Sequence, residues 1–477
     1  MAQGLERGTN PSLPNRVSEH ADVNEAKEER EMIVTHFMDA IRTQLPALIE
    51  ALSKIQDFRN PKKIKHQLAM VLFYGMLCFV LHTSSRREAN RDMTGPVLKE
   101  HLQQLFPEIE TLPHQDTLNR ILSRIDVEKI QDAHVQMIGR LIRNKKFIRW
   151  LIDGCYPIAI DGTQKLVRRD QVSEQWLQRR KNREKENESI QYYVYVLEAT
   201  LSFQNGLTLP LMSEFLNYAE GDISNDKQDC ELKAFTRLAK RLKTAFPRLP
   251  IMILLDGLYP NGPVLQMCRQ YHWQFMIVLK DGNLKSVWED FNGLKVFLPN
   301  QQSNGAWGNR RQNFTWVNDI EYFYGKNQKK KQIVHVVLCE ESWMELDSEN
   351  NQIKHHARHA WISSKHLTKK NLHERCNLGA RFRWGIEEAI LVEKHHGYAY
   401  EHLFSHNWNA MKGYHYLMHT AHALNTLARF SEHLFEFVLS KGVRPFIKYI
   451  RDSLVHPWLD PESLKQKLHP KPQLRLT

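Results

Sequence analysis

Apolar residues in the first third of the chain recur at helical spacing. Met32, Ile33, Phe37, Ile41, Leu45, Leu48 and Leu52 stand mostly three or four positions apart, which predicts helix from Asn24 to about Ile55. A basic break, Arg59-Asn60-Pro61-Lys62-Lys63, comes next, and Leu68 to Leu81 is then the most apolar run of the chain. It is shorter than the roughly 20 residues a bilayer span requires, so it predicts a helix buried in protein and no membrane partner. Shorter helices are expected from there to Trp150. Among them, Leu112 to Leu118 reads as a turn and a helix start, with Asp116 or Thr117 as the cap. Residues 1 to about 22 are polar, carry Pro11 and Pro14, and are expected to stay disordered.

The pattern changes at Tyr156. Pro157-Ile158-Ala159-Ile160 is a short apolar strand that runs into Asp161-Gly162-Thr163. A charged stretch spans Arg168 to Glu188, and two strands follow, Tyr192 to Phe203 and Leu207 to Phe215. Asn205-Gly206 joins them as a hairpin whose two turn residues are both expected at positive φ. Helix is expected from Asp226 to Ala245, strand from Ile251 to Leu255 ending in Asp256-Gly257, helix from Pro263 to Tyr271 and strand from Phe275 to Lys280. From Trp288 to Ser363 the character is β, with strands at Trp316 to Tyr324, Gln332 to Cys339 and Ala360 to Ser363, and a turn-rich Asn300 to Asn309. One long helix then covers Asn371 to His395, and the rest is mostly helical to Leu454, with a polar tail from Pro457.

This order of elements predicts an α/β protein: a ribonuclease-H-like mixed sheet with a β-rich insertion, an α-helical N-terminal domain and a helical C-terminus. The expected divisions are 1–22 disordered, 23–150 helical, 151–287 the first part of the core, 288–365 the insertion, 366–430 the rest of the core, and 431–477 C-terminal helices and tail. A chain of 477 residues is long enough for several domains.

Charge sharpens the picture. Sixty-six Lys and Arg against 54 Asp and Glu leave a formal +12, which suits a polyanionic partner such as nucleic acid. The six cysteines are scattered without a C-x-x-C pair, which argues against a thiolate zinc site or a disulfide framework and for a reducing, cytoplasmic setting. His355-His356-x-x-His359 and His395-His396 have neither a Cys partner nor an H-E-x-x-H helix, so zinc is not the favoured metal.

Asp161 and Asp256 each close an apolar strand and are each followed by glycine. Asp-Gly is also an ordinary turn pair, and Asp153-Gly154 and Asp281-Gly282 are two more, so it is the placement on successive strands that singles out Asp161 and Asp256. Neighbouring strands would bring their ends within about 5 Å. Gly162 and Gly257 would let a backbone come close to the site. Farther on, Arg383, Glu387 and Lys394 share one face of the expected helix, so the acid can ligate metal while the two cations grip DNA phosphates on either side; a solvated ion pair one turn long is the plainer reading. At the helical pitch, Glu388 points about 100° away from Glu387 and Glu393 about 120°, so both are expected at the surface or in secondary roles. Three carboxylates suit two Mg²⁺ ions (Mn²⁺ in their place), hard cations that take oxygen ligands and stabilise both oxygens of an in-line phosphoryl transfer.

Over Pro157 to Leu427 the sequence resembles the DDE transposases of bacterial insertion sequences whose catalytic core is interrupted by a β-rich domain. Asp161 in AIDGT matches the family's first Asp, and Asp256 in ILLDGLYP its second. Arg383, Glu387 and Lys394 fit the gaps of its tyrosine–arginine–glutamate–lysine signature, in which Ala380 takes the tyrosine position. Lys227-Gln228-Asp229-Cys230-Glu231 is also similar to family sequence and is assigned the start of a helix. The resemblance implies hydrolytic nicking at a transposon end, attack of the freed 3′-hydroxyl on target DNA, double-stranded DNA partners and a homodimer that pairs two ends. It further implies that an aromatic of the insertion, Trp307 or Trp316, holds a flipped base. Lys62, Lys63, Lys65, Arg86, Arg87 and Arg91 are candidates for DNA contact from the N-terminal helices. Arg168, Arg169, Arg179, Arg180, Lys181 and Arg183 are a second set, equally readable as a solvated face. A transposase-derived repressor that no longer cuts, or a nuclease of the same core that only hydrolyses, are the alternatives.

Overall fold

The computed structural model describes residues 20–106, 111–181, 189–218, 229–346, 351–456 and 460–476. Residues 1–19, Arg183, Glu188, Asp226, Lys227, Gln228 and Pro457, named above, lie outside them.

Among the described residues seven α-helices come first: α1 (Val23–Arg42), α2 (Leu45–Ser53), α3 (Leu68–Val80), α4 (Arg86–Asp92), α5 (Pro96–Leu105), α6 (Gln115–Leu122) and α7 (Glu128–Arg143). The Asp22 carboxylate caps α1 by accepting from the Asn24 and Glu25 amides, which have no helical partner of their own. α3 is apolar all round and every residue but Met70 is buried, as its run of apolar side chains demands. α6 is capped by the His114 imidazole, which accepts from the Asp116 amide. The expected caps Asp116 and Thr117 lie two and three residues past it, inside the first turn of the helix.

The sheet and its helices follow: β1 (Tyr156–Arg168), β2 (Leu177–Lys181), β3 (Ser189–Ser202), β4 (Thr208–Phe215), α8 (Glu231–Ala245), β5 (Ile251–Leu255), α9 (Gly262–Gln270), β6 (Gln274–Val278), α10 (Lys285–Leu294), β7 (Gln302–Trp307), β8 (Arg310–Tyr324), β9 (Lys330–Leu346) and β10 (Gln352–Ser363). Among the described residues they build one ten-stranded mixed sheet in the order β2-β3-β1-β5-β6-β10-β9-β8-β7, with β4 also on β3. β3 is antiparallel to β1, β2 and β4, whereas β5 is parallel to β1 and β6 to β5. β10 joins β6 through Trp361–Ser363, antiparallel, so β7–β10 extend the central sheet instead of closing one of their own.

Some expectations are corrected here. Of Asn205 and Gly206 only the glycine takes positive φ (82°); its amide bonds back to the Phe203 carbonyl, and the Asn205 side chain accepts from the Leu207 amide. Trp288 belongs to helix α10, where it packs with Val287 and Phe291, and the turn-rich segment at 300–309 contains strand β7. The long helix expected over Asn371 to His395 is three pieces: a π-helical turn, His373–Gly379, a 3₁₀ turn, Ala380–Trp384, and the regular helix α11 (Gly385–His395). Gly379, at φ −99° and ψ −83°, breaks the run.

Last come α12 (Trp408–Arg429), α13 (Phe435–Lys441), α14 (Val443–Val455) and α15 (Pro461–Lys467). α12 is buried over nearly its whole circumference and packs on α1, α3, α6, α7 and β4, so the N-terminal helices share one apolar core with the sheet. Alternate residues of the strands divide two cores. Ile158, Ile160, Ile253 and Leu255 face the side of α8, while Ala159, Met252 and Leu254 face the broken helix and α11. No helix among the described residues is long and apolar enough to cross a membrane.

Candidate active site

Asp161 is not the last residue of its strand, as expected, but lies within β1. The parallel ladder to β5 stops at Ala159 and β5 itself stops at Leu255, so Asp161 and Asp256 both stand just past the C-terminal end of the parallel pair. Ligand sites of α/β sheets gather at such strand ends. On β1 the chain continues only against β3, with Asp161 directly opposite Glu198. Asp161 points to the face covered by α11, because it is in register with Ala159.

Arg383, in the 3₁₀ turn before α11, brings the acids together. Its Nη1 lies 3.4 Å from Asp161 Oδ2 and its Nη2 2.8 Å from Glu387 Oε1, and the side chain is buried. The break in the helix does not prevent this i, i+4 contact, although the regular pitch holds only from Gly385 on. Asp256 is half-buried; its Oδ1 accepts from the Leu258 amide at 2.8 Å, and Lys280 Nζ stands 3.6 Å from Oδ2. Burial pushes the Asp161 carboxyl up to about 6; Glu387 and Asp256 push the same way, against Arg383 and the Gly162 amide.

Close approach requires the glycine after Asp161 and crowds the one after Asp256, where the neighbour is a flexible lysine chain. A Cβ at Gly162 would meet the Tyr195 ring at 2.5 Å and Glu231 Oε2 at 2.6 Å; one at Gly257 would meet the Lys280 side chain at 2.6 Å. Glu231, Tyr195, Tyr259 and Lys280 are neighbours that spacing alone did not reveal. The offset of Lys280 at the end of β6, the strand beside β5, was the available signal for one of them.

The other candidates separate. Lys394 turns to the Gln164 carbonyl (3.4 Å) and Glu401 (3.1 Å), which fastens α11 to β1 rather than reaching the acids. Glu388 is exposed, but Glu393, expected at the surface or in a secondary role, is buried: α11 turns that side toward α12, where His419 lies 3.4 Å and His422 2.7 Å from its oxygens. Trp316 packs inside the second core and has no free face for a base. Trp307, half-buried at the end of β7, lies 4.6 Å over the guanidinium of Arg381, which is paired with buried Glu341. Lys62, Lys63, Lys65, Arg87, Arg168, Arg169, Arg179, Arg180 and Lys181 are exposed. Arg86 is paired with Asp116 and Arg91 with Asp92, so both have protein partners already.

Among the described residues, the donor groups whose ligand atoms all lie within 4.8 Å of one another are Glu198–His415–His419 and Asp319–His335–His366. The three acids are not closed into such a group; the Arg383 guanidinium stands between Asp161 and Glu387. Their donors are nonetheless all carboxylate oxygens, and they exceed the cations that face them, a set that fits a hard divalent ion.

Residues 49–138, from α2 into α7, match the model of a family described as DDE_Tnp_1-associated. By that similarity the chain is transposase-related. No curated protein matches it.

Proposed function

We propose that the chain is a DDE transposase, which nicks DNA at the ends of an insertion sequence and joins the freed 3′-hydroxyl to target DNA. The observation that carries this is the meeting at Arg383: one buried guanidinium contacts both Asp161 and Glu387, which lie 226 residues apart in the chain, with Asp256 just past the end of the adjoining parallel strand. The order β4-β3-β1-β5-β6, three antiparallel strands and then two parallel ones, supports a ribonuclease-H-like core. The similarity of residues 49–138 to a transposase-associated family supports it independently.

Asp161, Asp256 and Glu387 would hold two Mg²⁺, or Mn²⁺ in their place. When bound, such ions stabilise the attacking and leaving oxygens of an in-line displacement. Arg383 would exchange its carboxylate partners for a phosphate, to which its planar fork presents two donors at once. Asp161 must give up its proton to serve as a ligand, so metal affinity should rise as pH rises through about 6. In the first step water attacks phosphorus and the 3′-oxygen leaves with a proton; in the second that 3′-hydroxyl attacks and the displaced oxygen of the target strand takes the proton. Exposed Lys62, Lys63, Arg168 and Arg169 would contact backbone phosphates, and Trp307 would stack on a displaced base. A homodimer on paired ends, in the cytoplasm of a bacterium, completes the proposal.

The test is incubation of the protein with Mg²⁺ and a duplex carrying the element's end. Joined product is the expected result. Cuts without joining would make the protein a nuclease, and a mobility shift without cutting would make it a repressor.

A further inference from the structure

Glu231 opens α8 and was assigned only the start of that helix. Its carboxylate does more: Oε2 accepts the phenol proton of Tyr195, on β3, at 3.0 Å, and Oε1 that of Tyr259 at 2.6 Å. Tyr259 is three residues beyond Asp256, completely buried, and its amide donates to the Asp256 carbonyl at 3.3 Å. Tyr195 and Glu231 lie against the backbone of Gly162, the residue after Asp161, so closely that no Cβ fits between them. One carboxylate is therefore in contact with both segments that carry the aspartates.

Glu231 sits behind the sheet. Side chains alternate along β1, so Asp161 faces α11 and Gly162 faces the opposite side, where α8 packs. β4 shows the same division: Glu214 pairs with Arg237 and Arg241 of α8, while Ser213 bonds His415 and His419 of α12. With both oxygens occupied by phenol protons and the wrong face of the sheet beneath it, Glu231 is not placed to be a ligand of an ion held by Asp161. Burial, and then the charge of Glu231, raise both phenols well above their ordinary range, so they remain donors.

We propose that Glu231 is a positioning residue of the carboxylate site, which fixes the spacing of the Asp161 strand and the Asp256 loop through Tyr195 and Tyr259. This rests on the site reading given under the proposed function. Metal ions held at this site would take ligands from both of those segments, so a small slip of one segment against the other would weaken their binding. Outer partners of this kind typically contribute about 10–100-fold to metal affinity.

The experiment is Mn²⁺ binding to the full chain by titration calorimetry, with cleavage measured over a range of Mn²⁺ concentration. Glu231→Gln should weaken Mn²⁺ binding about 10-fold and slow cleavage at limiting Mn²⁺, with recovery to within about 3-fold at saturation. The Tyr195→Phe/Tyr259→Phe double variant should show the same weakening, and adding Glu231→Gln to it should cost less than about 2-fold more, because the carboxylate acts only through the phenols. Unchanged Mn²⁺ binding in Glu231→Gln overturns the inference, as does a loss that is equally large when both phenols are absent. Asp161→Asn is the control: if it leaves Mn²⁺ binding intact, the site itself is misassigned and this inference falls with it. If Asp161→Asn abolishes binding and Glu231→Gln does nothing, only the positioning role fails.

Discussion

Asp161 and Glu198 stand opposite each other across β1 and β3, and Glu387 and Glu393 share α11, yet the members of each pair end in different surroundings. Asp161 and Glu387 border a half-open site in which three acids face Arg383 and Lys280. Glu198 and Glu393 lie in the interior with His415, His419, His422, Lys165 and Tyr400. There His415 and His419 stand 3.3 and 3.7 Å from Glu198, Tyr400 donates to it at 3.1 Å, and His419 spans the gap to Glu393. Burial opposes charge on His419, but Glu393 and Glu198 hold its imidazole above the ordinary value. Burial brings Lys165 down to about 8. Burial opposes charge on Glu393, but His419 and His422 hold its carboxyl well below its ordinary value, while burial and then the charge of Glu393 raise Glu198 beside it. In the cleft three acids face two cations, Arg383 and Lys280. An uncompensated charge is tolerable only beside solvent, where a ligand can complete it.

The largest contrast should come from exchanging acids for amides. Asp161→Asn, Asp256→Asn and Glu387→Gln should each reduce cleavage by about 10³-fold or more while end binding persists. Glu393→Gln should leave folded molecules able to cut. If cleavage by Glu387→Gln is normal and that by Glu388→Gln or Glu393→Gln is not, the assignment on α11 is wrong. Next in size is stability: Glu393→Ala strands His419 and His422 and should cost about 3–5 kcal/mol in urea unfolding, against little for Glu387→Ala. Equal losses would erase the distinction between the two clusters.

A smaller effect concerns pH. His419 is raised in the folded state, so its stabilisation is full below about 6.5 and disappears as pH rises through the raised value. Lys165 is lowered to about 8 and so acts in the opposite direction only above that pH; His415 and His82, lowered by burial, act below 6.5. Thermal midpoints should therefore fall between about pH 6.5 and 8 in the wild type and flatten in His419→Gln. The smallest effect is in the cleft. Asp161 is raised to about 6, which destabilises the metal-free fold as pH climbs from its unfolded value to 6 and leaves a constant penalty above. Asp161→Asn should raise the metal-free midpoint by about 1–2 °C at pH 8, a gain that shrinks toward pH 5. A lower midpoint at pH 8 would mean that Arg383 already balances the acids.

Much of the central sheet was legible because its strands carry apolar runs bounded by turn residues, and because Asp256 follows directly on one of them, although Asp161 proved to lie within β1 and not at its end. Periodicity also located α3 and α8. It failed at Trp288, whose helix is set by packing with Val287 and Phe291 against the sheet, and at β7, a polar edge strand with little apolar alternation to betray it. It failed again over 373–384, where the apolar pattern of a helix is present but Gly379 interrupts the regular turn.

Local chemistry therefore determined where the apolar cores of the central strands run, that Asp161 and Asp256 follow two of them, and that Arg383 and Glu387 lie one turn apart, because those properties depend on a few neighbouring side chains. Tertiary structure alone decided that β7–β10 continue the central sheet, that Trp316 and Glu393 turn inward, that Arg383 reaches Asp161, and that Glu231 stands behind both aspartates. Each of those depends on which distant segment packs against a given face, and a one-dimensional pattern records the face without naming what covers it.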